Sequence, residues 1–267
     1  MGFPVTVQIP EIVLQTGPWS YSMAETALLC PLLFHKKYRM KEKGTKPEDD
    51  VTTVGNVVHK ILEWVIMGAP IDRSFAQAIE QRQLTYDVEM QVRTYRAAVE
   101  EFVRGLETFD KTRGIKKKFT ERKIGLDTNF KLAEFFRGCF FRGVVDLTIV
   151  TKDNWGVIID HKSGALKSID KYKDQIEAYG LFADASFPGL VGVRTAIHFV
   201  GADPNEKGTR TTWAPEYSIE VVRTQFRQNL VALLERAATH VQTSQDPHKT
   251  WKCNYCEYQL TCPAHRG

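Results

Sequence analysis

The stretch from Gly143 to Lys162 constrains this chain more than any other. Gly143-Val144-Val145-Asp146 opens a β-rich run, Asp153-Asn154 interrupts it, and Val157-Ile158-Ile159-Asp160-His161-Lys162 follows. Apolar segments broken by turn formers predict an antiparallel hairpin. Residues two apart in a strand share a face, so Asp160 and Lys162 point the same way. Their apolar flank puts them at the end of a buried strand. A carboxylate and an ammonium are costly there unless they pair or bind a metal. A favourable register brings Asp146 to the same point. Two carboxylates at one point repel unless a cation lies between them, and hard oxygen ligands select Mg²⁺ or Mn²⁺. A D-x-K triplet alone also reads as a plain surface salt bridge on a hairpin, so its context decides.

The context is a chain of 267 residues, 43% hydrophobic, with ample material for a core. Helical spacing predicts a helix between Trp19 and Tyr38 that contains Cys30-Pro31. It predicts a second from Thr53 to Met67, capped by Thr52 or Thr53, and a longer one from Leu84 to Phe109. The period then changes. Residues 119–135, 139–150 and 155–162 read as strands, 168–184 as a helix, and 190–199 as a strand with 213–219 beside it. A final helix spans about 216–241, before a cysteine-rich tail from Lys249. Residues 44–53 and 201–212 read as polar loops. This order implies a mixed α/β core with a helical front. The division it suggests is a helical region over 1–115, a core over 116–245 and a tail over 246–267.

The formal charge is +4. Its distribution says more than its size. Lys36, Lys37, Arg39, Lys41 and Lys43 crowd one stretch, and Lys111, Arg113, Lys116, Lys117, Lys118, Arg122 and Lys123 another. Such clusters either neutralise phosphates or form an ordinary solvated surface. No apolar run is long enough to cross a bilayer, and the N-terminus lacks a secretory layout, which points to the cytoplasm. Five cysteines are an odd number, which argues against a disulfide framework and for metal or cluster ligation. Cys253-x-x-Cys256 and Cys262-Pro263 supply three thiolates, and Cys30 supplies a remote fourth. Four such thiolates hold a 4Fe–4S cluster or a Zn²⁺ ion, and spacing does not separate the two. Cys139, beside Phe140 and Phe141, reads as a small core residue. The aromatics Trp19, Tyr21, Tyr38, Trp251 and Tyr255, near the cysteines and the first basic stretch, could stack unpaired bases, though packing is the commoner role.

Gly164 follows Lys162, and the next helix carries Gln175 and Tyr179 on one face. With these residues the pattern becomes specific. GVVD, IIDHKSG and QIEAY resemble the signature of the RecB-like branch of the PD-(D/E)xK nucleases. The resemblance implies a restriction-endonuclease-like fold, a mixed central sheet flanked by helices, with a C-terminal cysteine clasp. It implies metal binding by Asp146 and Asp160, catalysis by Lys162, and DNA contact by Gln175 and Tyr179. The backbone carbonyl of His161 is the further metal ligand it implies, the side chain pointing to the other face. Gly55-Asn56-Val57-Val58-His59 resembles the family's upstream histidine motif, which makes His59 a metal ligand. Glu121 corresponds to a glutamate on the strand before the metal hairpin, a further catalytic candidate. The alternative for Glu121 is an exposed charge in the basic run. Nucleases of the AddB type and of CRISPR adaptation have one early cysteine and a late C-x₂-C-x₅-C group. That likeness favours a structural 4Fe–4S cluster on Cys30, Cys253, Cys256 and Cys262 over Zn²⁺.

The activity implied is phosphodiester hydrolysis by an exonuclease acting on single-stranded DNA or duplex ends. No phosphate-binding loop of the G-x-x-x-x-G-K-[ST] kind is present, so the expectation is a stand-alone nuclease without a helicase, of the phage type. Partners implied besides DNA are proteins of recombination, replication or CRISPR adaptation. The competing readings are a non-catalytic DNA-binding or assembly subunit, against which the intact Asp146, Asp160 and Lys162 argue, and a zinc-dependent regulatory protein.

Overall fold

The computed structural model describes residues 7–45, 50–204 and 209–265, and of Trp251 the backbone alone. Six strands form one sheet: β1 (Ile115–Leu126), β2 (Leu132–Ala133), β3 (Phe141–Thr151), β4 (Trp155–Lys162), β5 (Gly192–Phe199) and β6 (Thr211–Ser218). Their order is β2-β1-β3-β4-β5-β6. β3 and β4 are the antiparallel hairpin expected from the Asp153-Asn154 turn, in the register Leu147↔Ile159 to Val150↔Gly156. β4 and β5 run parallel, joined through the helix Lys173–Ser186. β6 returns antiparallel on β5 and forms the sheet edge, with Pro215 beside the register shift between Arg194 and Ala196, where a proline is tolerated. A mixed sheet flanked by helices is the fold class expected from the sequence.

By internal contacts the chain forms two compact units, one of residues 50–123 and 144–223, the other of 1–49, 124–143 and 224–267. In the first, the helix Asp50–Ile66 buries Val54, Val57, Val58, Ile61, Leu62 and Val65. This stripe packs with Leu147, Ile149, Val157, Ile159 and Ala196 from the sheet. Thr52 and Thr53 lie inside that helix, which already begins at Asp50, so neither is its cap. The single helix expected over Leu84–Phe109 is two, Tyr86–Thr94 and Arg96–Arg113, divided at Tyr95. Thr85 caps the first by accepting a hydrogen bond from the Val88 amide. A further helix, Ile71–Arg82, follows Pro70 and has no counterpart among the elements expected from the sequence. Its apolar stripe is thin, with only Ser74, Phe75 and Ala78 buried, so periodicity alone does not reveal it.

In the second unit the helix expected from Trp19 to Tyr38 breaks at Cys30. The residue before a proline avoids the helical region, and Cys30 is extended, with φ −156° and ψ 106°. Helix Tyr21–Leu29 precedes the break, and Pro31–Phe34 and a wider helical turn over His35–Arg39 follow. They pack with Arg227–Thr243, whose apolar stripe includes Leu230, Leu234, Ala237 and Val241. Trp19 is fully buried and stacks on Phe34 with centroids 5.4 Å apart, so it is a packing residue and not a base platform. Tyr255 is exposed, and the Trp251 side chain lies outside the described residues. Among the described residues no helix is long and apolar enough to cross a membrane.

Candidate active site and cysteine pocket

The site grows from the end of the β3–β4 hairpin. Strand alternation divides β4 between two faces. Val157, Ile159 and His161 face the helical core, while Ile158, Asp160 and Lys162 face the other way. Asp160 is buried at 3% exposure, and Lys162 Nζ lies 2.7 Å from its Oδ2. The other carboxylate oxygen accepts from Tyr179 Oη at 2.6 Å and from Gln175 Nε2 at 3.2 Å. Gln175 Nε2 also donates to Tyr179 Oη at 2.7 Å. Both side chains are buried, so their first partner is the Asp160 carboxylate and not solvent. The four-residue spacing of Gln175 and Tyr179 on one helix makes that shared grip possible.

Asp146 enters from β3. The β3–β4 ladder ends at Leu147↔Ile159, and the Asp146 carboxylate takes over the next amide, accepting from His161 N at 2.7 Å. His59, on the polar face of Asp50–Ile66, places Nδ1 3.7 Å from Asp146 Oδ2. Glu121 completes the group: ligand atoms of His59, Glu121 and Asp146 all lie within 4.8 Å of one another. Glu121 is thus part of the acid cluster rather than a bare charge in the basic run. It has φ +48°, a left-handed conformation foreign to a strand. Non-glycine residues are held there only where surrounding structure imposes it, which locates backbone strain at the point that aims this carboxylate.

Electrostatics match the geometry. Burial pushes the Asp146 carboxyl well above its ordinary range, and the Asp160 and Glu121 charges push it further. Burial also raises Glu121, with Glu63 and Asp160 adding to the shift and Lys60 opposing it. Lys162 is raised: burial works against its charge, but Asp160 and Asp146 outweigh that cost. Burial lowers His59, while a hydrogen bond with the His161 backbone favours the protonated ring. Asp146 and Glu121, raised by burial first and by neighbouring carboxylates second, form with His59 a donor set suited to a divalent cation.

The His161 side chain faces away. It is fully buried, with Nδ1 3.0 Å from His198 Nδ1 and its ring edge-on to Phe102. Burial lowers both imidazoles, His198 to about 3, so the pair is neutral. Sequence reasoning does not single out His198. Its position level with His161 across the parallel β4–β5 ladder is the one signal that could have marked it.

The basic clusters are partly occupied within the chain. Arg113 bonds Asp153 and Glu216 and lies over Trp155; Arg122 lies over Phe119 and Phe187. Lys36 pairs with Glu42 and Lys37 with Glu257, each at 2.7 Å.

In the other unit, Cys30, Cys253, Cys256 and Cys262 line one cavity of about 200 Å³ with Leu29, Leu32 and Leu33. All four are free thiols. Burial raises the Cys256 thiol, a hydrogen bond with the Tyr258 backbone lowers it, and proximity to Cys262, Cys30 and Cys253 raises it further. Cys253 Sγ accepts from the Thr250 amide at 3.2 Å. Cys139 stands apart, donating to the Phe135 carbonyl at 3.4 Å.

This hairpin, with acids and a lysine converging at a strand end, defines a nuclease class. The family model of the PD-(D/E)XK nuclease superfamily matches residues 18–263. The chain therefore belongs to the PD-(D/E)XK nuclease superfamily, whose members use divalent metals. No curated protein sequence matches it. Among solved structures, a protein from Eubacterium rectale provisionally described as an exonuclease is similar over 92% of this chain and 86% of its own, at 12% identity and TM-score 0.49. The structure of SSO0001 matches over 91% and 95%, at 15% identity and TM-score 0.33.

Proposed function

We propose that this protein is a DNA exonuclease that hydrolyses phosphodiester bonds of single-stranded DNA or of DNA ends. The observation that carries the reading is the convergence of His59, Glu121 and Asp146 within 4.8 Å beside the Asp160–Lys162 pair. Those three side chains, with Asp160 and the His161 carbonyl, would hold Mg²⁺ or Mn²⁺. When bound, the ion polarises the phosphate and lowers the pKa of a bound water. The chain's own groups do the rest. Tyr179 and Gln175 hold Asp160 in place, and the His161 amide holds Asp146. Lys162 supplies a fixed positive charge for the developing negative charge on a phosphate oxygen.

The cysteine cavity supports a 4Fe–4S cluster as a structural clasp. Zinc and a 4Fe–4S cluster both suit four thiolates, and the likeness of the cysteine spacing to that of cluster-bearing nucleases is what favours the cluster. The amide-to-sulfur hydrogen bonds and apolar walls are the surroundings that stabilise cluster thiolates.

The test is a time course on end-labelled single-stranded, duplex and circular DNA with Mg²⁺ or Mn²⁺, with Lys162→Ala as control. Metal-dependent loss of linear substrate, absent in the variant, is expected; equal activity in Lys162→Ala would sink the mechanism. Protein purified without oxygen should be brown, absorbing near ~400 nm; a colourless, zinc-loaded preparation would overturn the cluster.

A further inference from the structure

The acid cluster opens onto a polar cleft of about 620 Å³, lined by Asn56, His59, Lys60, Glu63, Gln81, Arg82, Glu121, Val144 and Asp146. Its charges can be followed one by one. Glu121 and Asp146 face the cation position with His59. Lys60 is held by Glu63 at 2.6 Å and lies over Trp64. Arg82 is what remains: it has no ion-pair or hydrogen-bond partner among the described residues. Its place is built by the fold. Phe75, Ala78 and Arg82 share one helix face, and the first two are buried. The inward stripe of Ile71–Arg82 thus runs out at Arg82, and Gln83, with φ +48°, ends the helix there. A cation at a helix C-terminus is also favoured by the helix dipole.

An exposed arginine that lines this cleft with no internal counter-ion is suited to an anion from outside, and its planar fork matches phosphate oxygens. We propose that Arg82, with the Gln81 amide beside it, binds a phosphate of the DNA strand next to the one that reacts. This rests on the nuclease reading above and adds a positioning residue to it. The phosphate is either an internal diester or a terminal monoester, and the two are separable.

The experiment measures binding of a short, labelled single-stranded oligonucleotide in calcium, so that the strand stays intact, across a salt series. Arg82→Gln should weaken binding roughly tenfold and reduce the salt slope by about one. Arg82→Lys should restore the slope, because it keeps the charge. Arg73→Gln, on the same helix but outside the cleft, should change neither. Oligonucleotides with a 5′-phosphate or a 5′-hydroxyl distinguish the sources: a loss confined to the first identifies the strand end, an equal loss the backbone. Affinity and slope in Arg82→Gln matching wild type on both probes would overturn the assignment. If wild type still cleaves DNA with Mg²⁺, only this inference falls; if wild type neither binds nor cleaves DNA, the nuclease reading falls with it.

Discussion

The acid cluster and the cysteine cavity both gather side chains from distant parts of the sequence, yet they are held in opposite ways. Asp146 and Asp160 sit on long strands and are wired by donors from the chain itself: an amide, a tyrosine, a glutamine and a lysine. The cysteines sit on short turns, 3₁₀ segments over Trp251–Tyr255 and Gln259–Thr261, and at a helix break. Their sulfurs have only scattered amide contacts. A site wired by its own fold should keep its shape without its ion; a pocket of short turns should need its ligand to be ordered. The largest expected effect tests the first half. Asp160→Asn should lower cleavage about a thousandfold or more, since a metal-bound carboxylate and the anchor of Lys162 are lost together. Its melting temperature should stay near wild type. A fall in both would show that the acid is structural.

The second half predicts the reverse. Cys256→Ala should lower the melting temperature by about 5–10 °C, because ligand binding in such a pocket is folding free energy. Single-turnover cleavage by the folded fraction at low temperature should change little. An unchanged melting temperature would remove the clasp.

The same contrast explains what is legible in the sequence. The β3–β4 hairpin is readable because period-two apolar residues and an Asp-Asn turn are local signals, and the expected span of β4, 155–162, is the observed one. The joint hold of Gln175 and Tyr179 on Asp160 is not readable, since spacing puts both on one helix face but does not say what that face meets. Glu121 is ambiguous because its aim depends on a left-handed backbone inside a strand, which no residue pattern announces. The helix Ile71–Arg82 escapes for lack of an apolar stripe, and Arg82 with it. His198 goes unmarked because its partner, His161, is a neighbour only across a parallel ladder.

Two smaller effects sharpen how the acids are held. Tyr179→Phe removes one donor from Asp160 while keeping the buried ring. Loss of an outer-shell hydrogen bond of this kind weakens metal affinity by roughly tenfold. The midpoint of a metal titration of activity should rise by that factor, with the rate recovering near saturation. A lower rate at every metal concentration would instead make the hydroxyl part of the chemistry.

The smallest effect concerns the cost of keeping acids together without an ion. Asp146 in the metal-free protein is held above its ordinary value of 3.8, by burial first and then by Asp160 and Glu121. A carboxyl with a raised folded value favours the fold in acid, where it is protonated in both states, and that contribution is lost as pH rises through the raised value. At neutral pH its charge is therefore a cost. Asp146→Asn keeps an acceptor for the His161 amide and removes the charge. It should stabilise the metal-free protein at neutral pH, because the buried charge and its repulsion from Asp160 and Glu121 are removed together. The gain should shrink towards zero below the ordinary carboxyl range. Melting curves in chelator at neutral and acid pH read it directly. A variant less stable than wild type at neutral pH would mean that the amide's grip on the charged form outweighs the repulsion, so that Asp146 is satisfied without a cation.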